Sequence, residues 1–192
     1  MSPTTELPII PFENPQTWAE WLEAQHATSA GIWLKLAKAS SGIASVTYPE
    51  ALEVALCYGW IDGQKKTFDE RFWIQKFTPR RAKSIWSKIN CAKAEVLIAN
   101  GAMKPSGLRE VEAAKRDGRW EAAYDSQSKS SIPADFQAAL DQNPAAQAFF
   151  ATLNSSNRYA FLFRIQTAKK AETRTERIRK FIEMLALGEK LH

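Results

Sequence analysis

The hydrophobic period changes along the chain, and this change constrains the fold more than any other feature. Strand-like alternation occurs at Ile32, Leu34 and Leu36 and again in two segments, one beginning at Ile61 and one at Arg71–Phe77. Thr78–Pro79 ends the last of these, and every later apolar pattern has helical spacing. The sequence therefore predicts an α+β fold, with a small antiparallel sheet and flanking helices in the front half and an all-helical C-terminal half.

Local signals mark where several helices begin. Asn14–Pro15 and Asn143–Pro144 are typical of an N-cap followed by proline, and Thr47 with Glu50 has the spacing of a capping box. We also expect a helix to begin near Ser84.

The linker-like stretch Asp125–Ser131 suggests how the chain is organised. It separates an α+β part, residues 1–124, from a helical part, residues 133–192, although the two parts can also form one compact unit.

Composition limits the kinds of site that are possible. Cys57 and Cys91 fall in predicted amphipathic helices and are expected to be buried free thiols, and with only His26 and His192 as imidazoles we expect no metal site. Glycine-rich phosphate loops are missing, so no cofactor is predicted. The N-terminal stretch lacks the pattern of a signal peptide and no apolar run could span a membrane, so we expect a cytoplasmic protein without membrane insertion.

The densest group of polar and aromatic residues lies between Tyr58 and Asn90. A helix beginning at Ser84 would offer unpaired N–H groups to an anion, and adjacent arginines would add bidentate contacts. Trp86 and Asn90, four residues apart, would share one face of that helix. The predicted ligand-binding residues are Asp62, Arg80, Arg81, Ser84, Trp86 and Asn90. The alternative is structural, in which the arginines pair with Asp62 or Asp69, or Asp62 binds its own backbone in a turn.

Four segments resemble the YdeI/OmpD-associated family, also described as bacteriocin-protection proteins. They are ALCYGWIDGQ, FTPRRAKSIWSKIN, LIANGAMKPSGL and RYAFLFRIQTAKKAETRTERIRKFIEML. The resemblance covers roughly residues 45–190. It implies a small cytoplasmic bacterial protein associated with envelope stress and bacteriocin protection, and it implies no particular reaction, cofactor or catalytic residue.

Three functions follow from these observations. The favoured one is a non-catalytic, stress-associated protein that binds a small anionic ligand or a protein partner. The second is an enzyme with Asp62 as general base and Arg80 as electrostatic stabiliser, which the lack of a nucleophile motif disfavours.

The third is nucleic-acid binding through the basic stretch Lys169–Lys180, for which a net charge of +5 is modest. Interleaved glutamates in that stretch favour a solvated helix face, so nucleic acid is not a partner that we expect for this chain. Arg164, within an apolar helix, would need an acid or a ligand.

Overall fold

A computed structural model describes residues 6–191, with four strands in the N-terminal half. The strands are β1 (Ile9–Pro11), β2 (Ile32–Ala37), β3 (Trp60–Thr67) and β4 (Phe72–Pro79). They form one sheet in the order β1-β2-β4-β3, in which β1 runs parallel to β2 and the other neighbours are antiparallel. The predicted antiparallel core of the sheet is present, and β1, which was not predicted as a strand, makes the sheet mixed.

Eight helices lie within the described residues, and the C-terminal half is helical. They are α1 (Pro15–Gln25), α2 (Tyr48–Cys57), α3 (Lys88–Ala99), α4 (Pro105–Arg116), α5 (Ala134–Asp141), α6 (Pro144–Thr152), α7 (Ser155–Gln166) and α8 (Ala171–Ala186), with one 3₁₀ turn at Ala39–Ser41. The α+β fold class is confirmed.

Three predicted helix starts are confirmed by their capping contacts. The Asn14 side chain accepts a 3.0 Å bond from the N–H of Thr17, and that of Asn143 accepts one of 3.0 Å from Ala146. The Glu50 carboxylate accepts from the backbone N–H of Thr47 at 2.8 Å. These bonds satisfy N–H groups that have no partner within the helix.

The chain divides into two compact units. The first comprises the described residues up to Ile85 together with Asn90–Glu121, and the second comprises Trp86–Ile89 and the described residues from Ala122 onward. The expected division into parts 1–124 and 133–192 stays a prediction.

One face of the sheet carries the core of the first unit. Ile32, Leu34 and Leu36 point to this inner face and are at most 1% exposed. The ring of Trp18 on α1 lies 5.8 Å from that of Phe77, and its indole N–H donates to the carbonyl of Ala51 on α2. The inner face is therefore covered by helices.

The second unit has its own aromatic core. The rings of Phe136 and Phe150 meet edge to face at 5.5 Å, and those of Phe161 and Phe181 at 5.1 Å. Such pairs add to the free energy gained by burying the rings. The core residues come from α5, α6, α7 and α8, so the four helices pack around one centre.

Candidate functional site

The helix predicted to begin at Ser84 begins instead at Lys88, so that prediction is wrong. Ser84 closes a turn, because its hydroxyl accepts a 2.9 Å bond from the N–H of Arg81 and its own N–H donates to the Arg81 carbonyl at 2.8 Å. The Ser84 carbonyl accepts from the guanidinium of Arg119 at 2.9 Å. The anion site expected at this position therefore lacks its helix N-terminus.

Arg80 and Asp62 are each engaged in separate contacts. Arg80 is 7% exposed and its Nη1 donates to the carbonyl of Ile85 at 3.2 Å, whereas Oδ2 of Asp62 accepts a 2.9 Å bond from the Tyr48 hydroxyl. Asp62 pairs across the sheet with Phe77, and Phe77 precedes Arg80 by three residues. Three strand residues correspond to about 10 Å, so Asp62 and Arg80 are separated along the strand direction. The Asp62–Tyr48 bond differs from both structural alternatives foreseen for this carboxylate.

Asp69 is occupied at the β3–β4 turn. Its Oδ1 accepts 2.8 Å bonds from the N–H groups of Arg71 and Phe72. This arrangement is typical of an aspartate that closes a turn on its own backbone.

Trp86 and Asn90 do not share a helix face, because Trp86 precedes the first residue of α3. Trp86 is 1% exposed in the second unit, where its carbonyl accepts a 3.0 Å bond from the N–H of Tyr124. Asn90 is 8% exposed and belongs to the first unit. Their role in ligand binding stays a prediction, as does that of the other four residues.

The sheet presents a second face, which sequence analysis did not identify as a site. Strand register shows which residues share it: Trp33 pairs with Lys76, Lys35 with Ile74, and Ala37 with Phe72. We call this set, together with Ile9 of β1 and Lys66 of β3, the outer face. Its members are Ile9, Trp33, Lys35, Ala37, Lys66, Phe72, Ile74 and Lys76.

Lysine ammonium groups lie over aromatic rings across the outer face. Nζ of Lys66 is 4.6 Å from the centre of the Trp33 ring and Nζ of Lys76 is 6.0 Å from it. Nζ of Lys35 lies 4.1 Å from the Phe72 ring and 4.3 Å from that of Phe68. These distances are those of cation–π contacts. The face therefore combines positive charge with flat apolar surfaces.

A β-bulge decides that Lys66 belongs to this face. The pairing of β3 with β4 shifts by one residue between Asp62 and Lys65, so Lys66 lies opposite Ile74. Without the extra residue Lys66 would lie opposite Trp73 and point to the inner face. The side chain of Gln75, 4% exposed, holds the bulge by donating to the Gly63 carbonyl at 2.8 Å.

A surface cavity of about 390 Å³ opens on the outer face. Its lining residues are Glu6, Leu7, Ile9, Trp33, Lys66, Ile74 and Lys76. This volume lies within the range of small-molecule sites. Two lysines and one glutamate give the lining a net positive charge, and the indole of Trp33 forms its aromatic wall.

The basic stretch Lys169–Lys180 is used largely within the second unit. Nη1 of Arg174 donates to the Ile165 carbonyl at 2.9 Å, and Arg177 donates to the carbonyl of Arg164. These carbonyls lie in the last turn of α7, where they have no partner within the helix. Arg179 pairs with Glu176 and Glu183. These arginines therefore stabilise helix ends and helix faces.

The structure also shows the environment of the cysteines. Cys57 and Cys91 are free and buried, as predicted. Among the described residues, no group of three or more His, Cys, Asp or Glu side chains is arranged to hold a metal ion. No helix within residues 6–191 is long and apolar enough to cross a membrane.

The fold and the outer face define an α+β sheet protein with a helical C-terminal unit. A segment in each half of the chain matches a known protein family. Residues 10–110 match a family described as a domain of unknown function, DUF8412. This match spans more than half of the 192 residues, so the chain belongs to that family. Residues 129–188 match the family described as "Bacteriocin-protection, YdeI or OmpD-Associated".

The resemblance to the YdeI/OmpD-associated family is therefore confirmed for the C-terminal segment, and the front segments fall within the other family. No curated protein and no solved structure matches the chain.

Proposed function

We propose that this chain is a non-catalytic, bacteriocin-protection-type protein that acts by binding an anionic ligand on the outer face. The C-terminal match to a family described as bacteriocin-protection supports the protective role. The lysines and rings of the outer face support the class of ligand, because ammonium groups attract anions and aromatic rings add apolar contact area.

The observation that carries the proposal is the position of Lys66 and Lys76 beside the Trp33 ring at the cavity. Within the part of the chain that the structure describes, neither lysine has a carboxylate partner within 4.0 Å. Their positive charges are therefore available to an incoming anion without breaking an ion pair. An anion between them would be bound by two flexible point charges, a common way for lysine to bind phosphate.

Ligand-dependent thermal stabilisation tests the proposal. The protein is heated with a panel of phosphorylated and carboxylated compounds, including inorganic polyphosphate, ATP, citrate and a short oligodeoxythymidylate. A ligand present at about 100 times its Kd stabilises the folded state by about 2.7 kcal/mol, which raises the Tm measurably. We expect at least one member of the panel to do so.

Paired substitutions locate the site. Lys66→Gln/Lys76→Gln is expected to remove the ligand-dependent rise in Tm, whereas Lys83→Gln/Lys115→Gln removes the same charge elsewhere in the first unit and should retain it. No rise with any compound, or equal rises in both double variants, would overturn the proposal.

A further inference from the structure

Resting on the proposed function, we infer that the anionic ligand is single-stranded nucleic acid. Its bases would stack on the aromatic rings of the outer face and its phosphates would pair with the lysines. Single strands are bound in this way elsewhere, because every base has a flat π-face and every linkage carries a negative charge.

The spacing of the rings favours a strand over a mononucleotide. Trp33 pairs with Lys76, whereas Phe72 pairs with Ala37, which is four residues further along β2. Four strand residues correspond to about 13 Å, compared with about 3.4 Å for each stacked nucleotide. One nucleotide can therefore reach only one ring, while a strand of a few nucleotides can reach both.

Lysines lie along the path between the two rings. Lys35 and Lys66 flank Ile74 on its two sides, in the row of paired residues between Trp33 and Phe72. The ammonium of Lys35 is close to the Phe72 ring and that of Lys66 is close to the Trp33 ring. A base on either ring would displace the ammonium from the ring face and leave it beside the phosphate, since lysine side chains turn on flexible stems.

The shape of the surface favours a single strand over a duplex. A four-stranded face is broader than the two-stranded ribbon that the major groove of B-DNA admits, and the base faces of a duplex are covered by their neighbours. A duplex would therefore contact the lysines alone and leave Trp33 and Phe72 without a role. The same holds for polyanions without rings and for anionic lipid headgroups.

Fluorescence anisotropy with a labelled oligodeoxythymidylate of about 15 nucleotides tests the inference. This length is within the range of about 4–16 nucleotides that one OB fold covers when it binds a single strand by stacking. The full chain is titrated at low and moderate salt. Competitors are a blunt duplex of the same length, inorganic polyphosphate and vesicles rich in phosphatidylserine. We expect the single strand to bind tightest and the three competitors to displace it poorly at equal charge concentration.

Substitutions on the outer face separate stacking from charge. Trp33→Ala is expected to weaken binding about 5- to 150-fold, the loss of one base–ring contact, and Trp33→Phe should retain most of the affinity. Trp120, whose ring lies 5.0 Å from Nζ of Lys115 in the first unit, is the matched control, and Trp120→Ala should bind like the wild type. Circular dichroism checks that each variant is folded.

The lysines have a different signature. Lys66→Gln and Lys76→Gln should each reduce the slope of log Kd against log salt by about 0.7, while Lys83→Gln should leave it unchanged.

The outcomes distinguish this inference from the proposed function. If polyphosphate competes as well as the oligonucleotide and Trp33→Ala binds normally, the outer face is a general anion site and the nucleic-acid inference is overturned alone. Preferential binding of vesicles or of the duplex would overturn it as well. If neither the oligonucleotide nor any compound of the thermal panel binds, both proposals fail.

Discussion

Nε and Nη2 of Arg174 donate to the two carboxylate oxygens of Asp135 at 2.6 and 2.8 Å, while Nη1 of the same side chain donates to the Ile165 carbonyl. One guanidinium on α8 thus binds the first turn of α5 and the last turn of α7. A two-point ion pair of this kind is stronger than a single contact between flexible side chains.

Arg174→Ala is expected to lower the free energy of unfolding by about 1 kcal/mol, because it removes both the ion pair and the bond to Ile165. The measurement is chemical denaturation followed by circular dichroism. Arg179→Ala is the control, since Arg179 pairs with two glutamates of its own helix on an exposed surface and its loss should cost less. Equal losses in the two variants would contradict the special role of Arg174.

The Asp135–Arg174 pair should also make stability depend on pH. The hydrogen bond from Arg174 holds the pKa of Asp135 below its usual range. Its contribution is therefore complete above the ordinary Asp pKa of about 3.9 and is lost as the pH falls through the lower, folded-state pKa. The wild type should be more stable than Asp135→Asn above about pH 5, with the difference shrinking below about pH 4. A difference that stays constant down to the acid transition would exclude this linkage.

Gly107 on α4 lies where no larger residue fits. A Cβ at this position would lie 2.3 Å from the carbonyl oxygen of Cys57 and 2.8 Å from that of Leu56. Gly107→Ala should therefore lower the free energy of unfolding by about 1–3 kcal/mol, because the last turn of α2 must move. This loss is expected although alanine favours helices over glycine. Gly63→Ala, whose Cβ would meet its nearest atom at 3.6 Å, is the control for denaturation. A Gly107→Ala protein as stable as the wild type would contradict this close helix contact.

The two buried thiols should react slowly. Burial raises the pKa of both Cys57 and Cys91 to about 11, which disfavours the reactive thiolate. At pH 8 the thiolate fraction should be roughly two hundred times smaller than for a thiol with a pKa of about 8.5. Labelling with a chromogenic disulfide is therefore expected to be slow in the native protein and fast in denaturant. Native and denatured rates that agree would show that the cysteines are accessible.

Asp62→Asn separates the outer face from the ligand site first expected from the sequence. Asp62 pairs with Phe77 on the inner face and its carboxylate binds the Tyr48 hydroxyl. An amide oxygen can still accept that bond, so ligand-induced stabilisation should match the wild type in the thermal assay. Loss of that stabilisation in a folded Asp62→Asn protein would instead favour the original set of residues.

Helix starts that depend on neighbours in sequence could be predicted, and the start of α3 at Lys88 could not. At Asn14 and Asn143 the capping group and its N–H partner lie three residues apart, so the bond forms wherever the segment folds. At Ser84 the hydroxyl has an equally local partner in Arg81, and the carbonyl binds Arg119, which is 35 residues away. The sequence pattern alone did not distinguish a capping serine from a serine that closes a turn.

Only part of the outer face could be predicted from the sequence. Alternation in β2 shows that Trp33 and Lys35 point away from Leu34 and Leu36, but it does not show which strands lie beside them. The position of Lys66 depends on the bulge at Gly63 and Gln64, and both residues resemble any other part of a polar hairpin. A shift of one residue moves every later side chain to the opposite face, so the site depends on register.

The sequence by itself determined the α+β class, the helical C-terminal half and the helix starts at Asn14, Thr47 and Asn143, because hydrophobic period and capping are local properties of the chain. Only the tertiary structure decided that β1 pairs with β2 in parallel and that the helix after Pro79 begins at Lys88. It also decided that three lysines contact aromatic rings on the outer face. Each of these depends on hydrogen bonds or strand pairing between residues that are distant in sequence, and such contacts stabilise the chain only once it has folded.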